Sequence, residues 1–199
     1  MKKGLFELVV IADRSGSMFG MIDEARNSIN RFIDEQKKIE GEALFTFVMF
    51  DDEYEVVVDG KNIKKVKNIG EEYKARGCTA LLDAIGYTFD NIGKKLADTK
   101  EKDRPEKVIV AIVTDGHENA SKKYSRDMIS GMIKKQQDEY SWEILFFAAN
   151  MDAVDVGTGI NIMASNCCNY AANSTGVKTA YGIFTTTVTT ARNKSNEVA

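Results

Sequence analysis

Three oxygen-bearing side chains close the first apolar run of this chain at alternate positions. They are Asp13, Ser15 and Ser17, in Leu8-Val9-Val10-Ile11-Ala12-Asp13-Arg14-Ser15-Gly16-Ser17-Met18. A buried strand ending in such a cluster delivers oxygen ligands to its carboxyl end, where open α/β sheets bind their ligands. Oxygen-only sets select Mg²⁺, Mn²⁺ or Ca²⁺ over softer metals. Taken alone, the same residues describe equally well a strand-end turn in which Asp and Ser satisfy backbone amides.

Two distant segments repeat the pattern. Thr79 stands at the threshold of a helix in Gly77-Cys78-Thr79-Ala80-Leu81-Leu82-Asp83-Ala84-Ile85, and Asp115 directly follows a strand in Val113-Thr114-Asp115-Gly116. If the ends of the first and fourth strands are neighbours at a topological switch point, Asp13, Ser15, Ser17, Thr79 and Asp115 converge. Asp83, in the first helical turn, is read as a carboxylate behind these ligands; the alternative is one favoured there by the helix dipole.

Other reactive residues are given ordinary places. His117 is the single histidine, which excludes a multi-histidine zinc site and leaves one candidate for a histidine dyad. It and Glu118 should lie on the rim. Arg14 is expected to point to solvent, Cys78 to be a small buried filler, and Cys167-Cys168 a packing pair without metal. Asp51-Asp52-Glu53 reads as a solvated hairpin turn.

The elements that must position these groups alternate. Strands are expected at Leu5–Ala12, Ala43–Phe50, Tyr54–Val58, Lys107–Thr114, Trp142–Ala149 and, shortly, Ile160–Ala164. Helices are expected at Met21–Lys38, Ala80–Leu96, Ser125 to about Asp138 (Met128, Ile129, Met132 and Ile133 inward) and Thr175–Arg192, with a short one at Asp152–Val156. Residues 60–75 read as loop with at most a short helix. The fold class is therefore α/β: a doubly wound, mostly parallel six-stranded Rossmann-like sheet, with one antiparallel edge strand at Tyr54–Val58 and helices on both faces. All 199 residues are expected to form one domain, its core about residues 5–193.

With 43% apolar and 29% charged residues the composition is that of a globular protein, and a net charge of −3 argues against general electrostatic binding of nucleic acid. The lysine pairs Lys64-Lys65, Lys94-Lys95 and Lys134-Lys135 read as solvated surface. No run reaches the ~18 apolar residues a bilayer requires, so no membrane partner is expected. Glu7 and the absence of a small-residue cleavage pattern argue against a signal peptide at the amino end. Three cysteines, odd in number and partly vicinal, suggest no disulfide framework, and a cytoplasmic location is the expectation.

Asp-x-Ser-x-Ser after the first strand, Thr-x-Leu-x-Asp-Ala at a helix start and Thr-Asp-Gly after the fourth strand together resemble a von Willebrand factor type A domain, of the intracellular bacterial or phage type. The resemblance runs from Leu5 through the last helix, with all three pieces of its metal-ion-dependent adhesion site intact. It implies that Ser15 and Ser17 ligate a cation directly, that Thr79 does so directly or through water, and that Asp13 and Asp115 bind directly or through water while holding the serine hydroxyls. Two carboxylates with hydroxyls suit Mg²⁺, with Mn²⁺ or Ca²⁺ as alternatives. The resemblance further implies a non-catalytic module that docks an Asp or Glu of a protein partner on the cation, with a link to ATPase-containing assemblies. Alternatives are a metal-dependent hydrolase and a structural subunit whose metal only stabilises. The chain has no phosphate-loop motif and no histidine near Ser15 in sequence, which disfavours the hydrolase.

Overall fold

The computed structural model describes residues 1–197. Its first strand, β1 (Lys2–Asp13), is buried from Leu5 to its end, as a strand covered on both faces must be. Helix α1 (Ile22–Lys38) returns the chain to β2 (Glu42–Phe50), parallel to β1, and a tight turn leads to β3 (Tyr54–Asn62), antiparallel at the edge. Helix α2 (Leu81–Asp98), β4 (Pro105–Thr114), α3 (Arg126–Tyr140) and β5 (Glu143–Ala148) follow. The chain closes with α4 (Ala153–Thr158), β6 (Cys167–Asn169) and α5 (Ser174–Glu197). The strand order is β3-β2-β1-β4-β5-β6, so the winding reverses between β1 and β4.

The sheet separates two cores. Phe6, Leu8, Val10 and Ala12 of β1 pack with α1 and α5, whereas Val9 and Ile11 pack with α2 and α3. Phe32 of α1 stacks on Phe184 of α5 at 4.7 Å between ring centroids. Threonines and Gly182 give α5 a low intrinsic propensity, yet it is long, because its apolar stripe (Val177, Tyr181, Phe184, Val188) is buried. The hydroxyls of Thr179, Thr185, Thr186 and Thr187 each donate to the carbonyl one turn earlier, which satisfies them without strengthening the helix. Buried Arg192 donates to the Gln36 carbonyl at 2.9 Å, placing a cation on the negative end of α1.

Two expectations are corrected. The last strand forms at Cys167–Asn169 rather than Ile160–Ala164: Ile160 and Ile162 are buried, but Asn161 between them takes a left-handed φ of 64°, which interrupts any extended run. Cys167 and Cys168 therefore sit as successive strand residues against opposite cores. Met128 is exposed rather than inward, since Ile129 and Ile133 are the residues α3 buries against the sheet. Among the described residues no helix is long and apolar enough to cross a membrane.

A buried carboxyl lies in the middle of the sheet. Glu7 of β1 accepts a hydrogen bond from Thr46 Oγ1 at 2.8 Å, and burial raises its carboxyl from 4.5 to about 7. The folded protein thus keeps a proton that the unfolded chain releases over that interval. Its contribution is full below the unfolded value and is lost as pH rises through the folded one. Glu7→Gln should abolish this slope and leave the variant more stable than wild type by roughly 3 kcal/mol at about pH 8. Urea denaturation of both proteins between about pH 5 and 8 measures it.

Candidate metal centre

Asp13 ends β1 and anchors the loop that follows. Its Oδ1 accepts from the Ser15 amide at 2.6 Å, and its Oδ2 accepts from Thr114 Oγ1, at the end of neighbouring β4, at 2.5 Å. The chain then makes a 3₁₀ turn over Gly16–Gly20 that buries Met18 and leaves the Phe19 ring 82% exposed. Ser15 Oγ and Ser17 Oγ lie 3.1 Å apart, and Ser17 donates to Asp115 Oδ1 at 2.6 Å.

Thr79 reaches the same place from the other side. Its amide donates to Asn119 Oδ1 at 2.9 Å, and its carbonyl accepts from the Asn119 and Ala120 amides at 3.0 and 3.2 Å. Gly116 marks the point of convergence. A Cβ on that residue would stand 2.8 Å from Thr79 Oγ1, 3.3 Å from Ser17 Oγ and 3.5 Å from Ser15 Oγ. Three hydroxyls from two loops thus face one small space, which the absent side chain keeps open.

The carboxylates beneath are held at a cost. Burial raises Asp13 to about 6, against hydrogen bonds from Thr114 and Ser15 that pull it down. Burial likewise raises Asp115, against the bond from Ser17. Hydroxyls and amides, rather than a lysine or arginine, provide this relief. Asp115 Oδ2 is buried with no hydrogen-bond partner among the described residues, a state that normally costs about 1–3 kcal/mol or more for a charged group. A cation would remove that cost, and two carboxylates with three hydroxyls are a donor set for a hard one. The residues present therefore fit a divalent cation. Among the described residues no cluster of three or more His, Cys, Asp or Glu could hold a metal, so the hydroxyls are indispensable to this donor set.

The surroundings depart from expectation in four places. Arg14 is buried rather than solvent-directed: its guanidinium turns under the loop to Asp51 Oδ2 (3.3 Å) and Glu55 Oε2 (2.7 Å). The Asp51–Glu53 turn is consequently a structural hub. Asp51 is buried, also pairs with Arg76 Nε at 2.6 Å, and its carbonyl accepts from the Ala80 amide at 2.8 Å. Cys78 is exposed instead of filling space, because its amide binds Asp52 Oδ1 at 3.1 Å and the preceding Gly77, at φ 68°, turns the backbone inward. The Gly16 amide in turn donates to the Gly77 carbonyl at 3.1 Å, joining the two ligand loops. Asp83 commits its carboxylate to the amides of Lys122, Lys123 and Tyr124 (2.8–2.9 Å) rather than backing the hydroxyls. His117 is exposed, and Glu118 accepts from the Leu82 amide at 2.9 Å, capping α2.

Several contributors carried no sequence signal of their own. Tyr73 and Tyr170 donate to the Asp13 and Thr114 carbonyls, each at 3.0 Å, beneath the strand ends. Asn150 Nδ2 donates to the Asp115 carbonyl at 3.1 Å. Thr114 alone was legible in principle, as a hydroxyl beside Asp115 on the strand flanking Asp13.

Fold and site together define a class. Residues 7–180 match the von Willebrand factor type A domain, and the chain belongs to that family. Such domains are generally metal-dependent protein-interaction modules that typically hold a divalent cation at a metal-ion-dependent adhesion site.

The chain is similar in structure to proximal thread matrix protein 1 from the mussel byssus (15% identity, TM-score 0.63, 94% of this chain and 46% of that one). A second structure of that protein has zinc in its adhesion-site motif (15% identity, TM-score 0.62, 94% and 46%). The PilB minor pilin of Streptococcus sanguinis is likewise similar (10% identity, TM-score 0.65, 98% of this chain and 63% of the pilin). At these identities the likeness is one of fold. The chain spans about half the length of the mussel protein. No curated protein matches the sequence.

The Thr114 hydroxyl can be tested without metal. Thr114→Val keeps shape but strips Asp13 Oδ2 of its donor, and should destabilise the metal-free protein by about 1–3 kcal/mol in urea denaturation.

Proposed function

We propose that this chain is a metal-dependent protein-binding module. In this reading the hydroxyls of Ser15, Ser17 and Thr79, with the carboxylates of Asp13 and Asp115, hold a divalent cation on which an Asp or Glu of a partner docks. The observation that carries the reading is the convergence of three hydroxyls around Gly116, above an Asp115 oxygen buried without a partner. Mg²⁺ is the favoured ion, because it keeps part of its water shell and accepts a site with few carboxylates; Mn²⁺ and Ca²⁺ are the alternatives. The bound cation supplies positive charge to attract and orient the partner's carboxylate. Phe19, two residues after Ser17, is exposed, and in this reading its ring offers apolar contact to the partner.

The module is read as non-catalytic. The serine hydroxyls are engaged with each other and with Asp115, and the one histidine of the chain is exposed on the rim. A cytoplasmic setting agrees with free Cys78, Cys167 and Cys168.

Mg²⁺ should raise the melting temperature of the chain. At a hundred times its Kd the gain is about 2.7 kcal/mol. Asp13→Ala should abolish the shift, and Gly116→Ala should diminish it by placing a methyl among the hydroxyls. Thermal melts with millimolar Mg²⁺, Mn²⁺, Ca²⁺ and Zn²⁺, the last because the mussel protein holds it, decide the matter; no shift with any of them would refute the proposal.

A further inference from the structure

Thr79 differs from the other hydroxyl ligands in how it is held. Ser15 lies two residues past the end of a central strand, and Ser17 lies in the 3₁₀ turn that follows. Thr79 is the last residue but one of residues 66–80, a stretch without helix or strand that leads into α2. The Ala80 position that precedes α2 gives no side-chain cap. Something outside that stretch has to fix where the hydroxyl sits.

The loop after β4 does so through the Ala120 amide, which donates to the Thr79 carbonyl at 3.2 Å, and above all through Asn119. Asn119 grips the Thr79 backbone from both sides, accepting from its amide at 2.9 Å and donating to its carbonyl at 3.0 Å. The same loop is locked onto the first turn of α2: Glu118 Oε2 accepts from Leu82, and Ser121 Oγ from Asp83 at 3.0 Å. Asn119 also lies four residues beyond Asp115 on a chain whose direction Glu118 fixes by accepting from the Ala120 and Ser121 amides (3.0 and 2.7 Å). The residue gripping Thr79 is thus tied by a short, internally bonded segment to the carboxylate on which Ser17 hangs.

We infer that Asn119 is a positioning residue of the cation site: its paired hydrogen bonds to Thr79 set the distance of the Thr79 hydroxyl from Ser15, Ser17 and Asp115, and so set cation affinity. The inference rests on the metal-binding reading above. In this inference Asn119 acts through Thr79 rather than as a ligand, its side-chain oxygen accepting from the Thr79 amide. Residues that orient ligands in this way typically control affinity by about 10–100-fold.

The test is a Mg²⁺ titration by calorimetry on the full chain. Asn119→Ala should weaken binding at least about tenfold, whereas Asn119→Asp, which retains an acceptor oxygen, should stay within about threefold of wild type. In a Thr79→Ala background, Asn119→Ala should weaken binding by no more than about twofold further, since the two act through one hydroxyl. Asn119→Gln, which displaces the amide by one methylene, should behave as Asn119→Ala and substitutes for it if that variant does not fold. Unaltered affinity in Asn119→Ala overturns the inference while leaving metal binding intact, as does equal weakening in both backgrounds. A wild-type chain that takes up no Mg²⁺ overturns the metal reading itself and this inference with it.

Discussion

Two acidic side chains at the ends of neighbouring parallel strands are the constraint around which this structure is arranged. Asp13 and Asp115 lie where the strand order reverses, buried, and without basic partners among the described residues. Charge in such a place is stable only if donors are brought to it. Thr114 comes from the adjoining strand, the Ser15 amide from the turn that Asp13 itself folds, and Ser17 from the short turn beyond. Even so one oxygen of Asp115 is left over. The loops that carry Ser15, Ser17 and Thr79 are in this sense the response of the chain to a polarity that the sheet creates.

Those loops owe their order to one another more than to regular structure. Arg14, drawn under its own loop, meets Asp51 from the β2–β3 turn, and Asp51 meets Arg76 from the stretch before α2. A buried ion pair adds little net stability, but losing one partner is costly. Such a network therefore favours one arrangement over its alternatives. It ties three segments distant in sequence into the wall around Thr79.

Much of this was legible in the sequence, for reasons that can be stated. The strands β1, β4 and β5 are long apolar runs, so their burial and parallel pairing follow from composition. Asp13, Ser15, Ser17, Thr79 and Asp115 were readable because their side-chain types recur at the ends of such runs. Arg14, Asp51 and Cys78 were misplaced because their surroundings depend on a contact between loops, for which no periodicity exists. Asn119 was invisible for the same cause, since its role lies in two backbone bonds to a residue forty positions away. The final strand was missed because Asn161 adopts a backbone conformation that hydrophobic patterning does not encode. Tyr73 and Tyr170 carry no signal in the sequence, since their part is played by phenolic oxygens aimed at strand-end carbonyls.

The two cores separated by the sheet meet only at its margins, and the ligand loops form one such margin. Met18, beside Ser17, belongs to the core beneath α1 and α5, while Leu81, close after Thr79, belongs to the core beneath α2 and α3. A cation gripped by both loops would act as a rivet through the layers. It would couple the unfolding of one half to that of the other, and its removal would leave the halves freer to open separately.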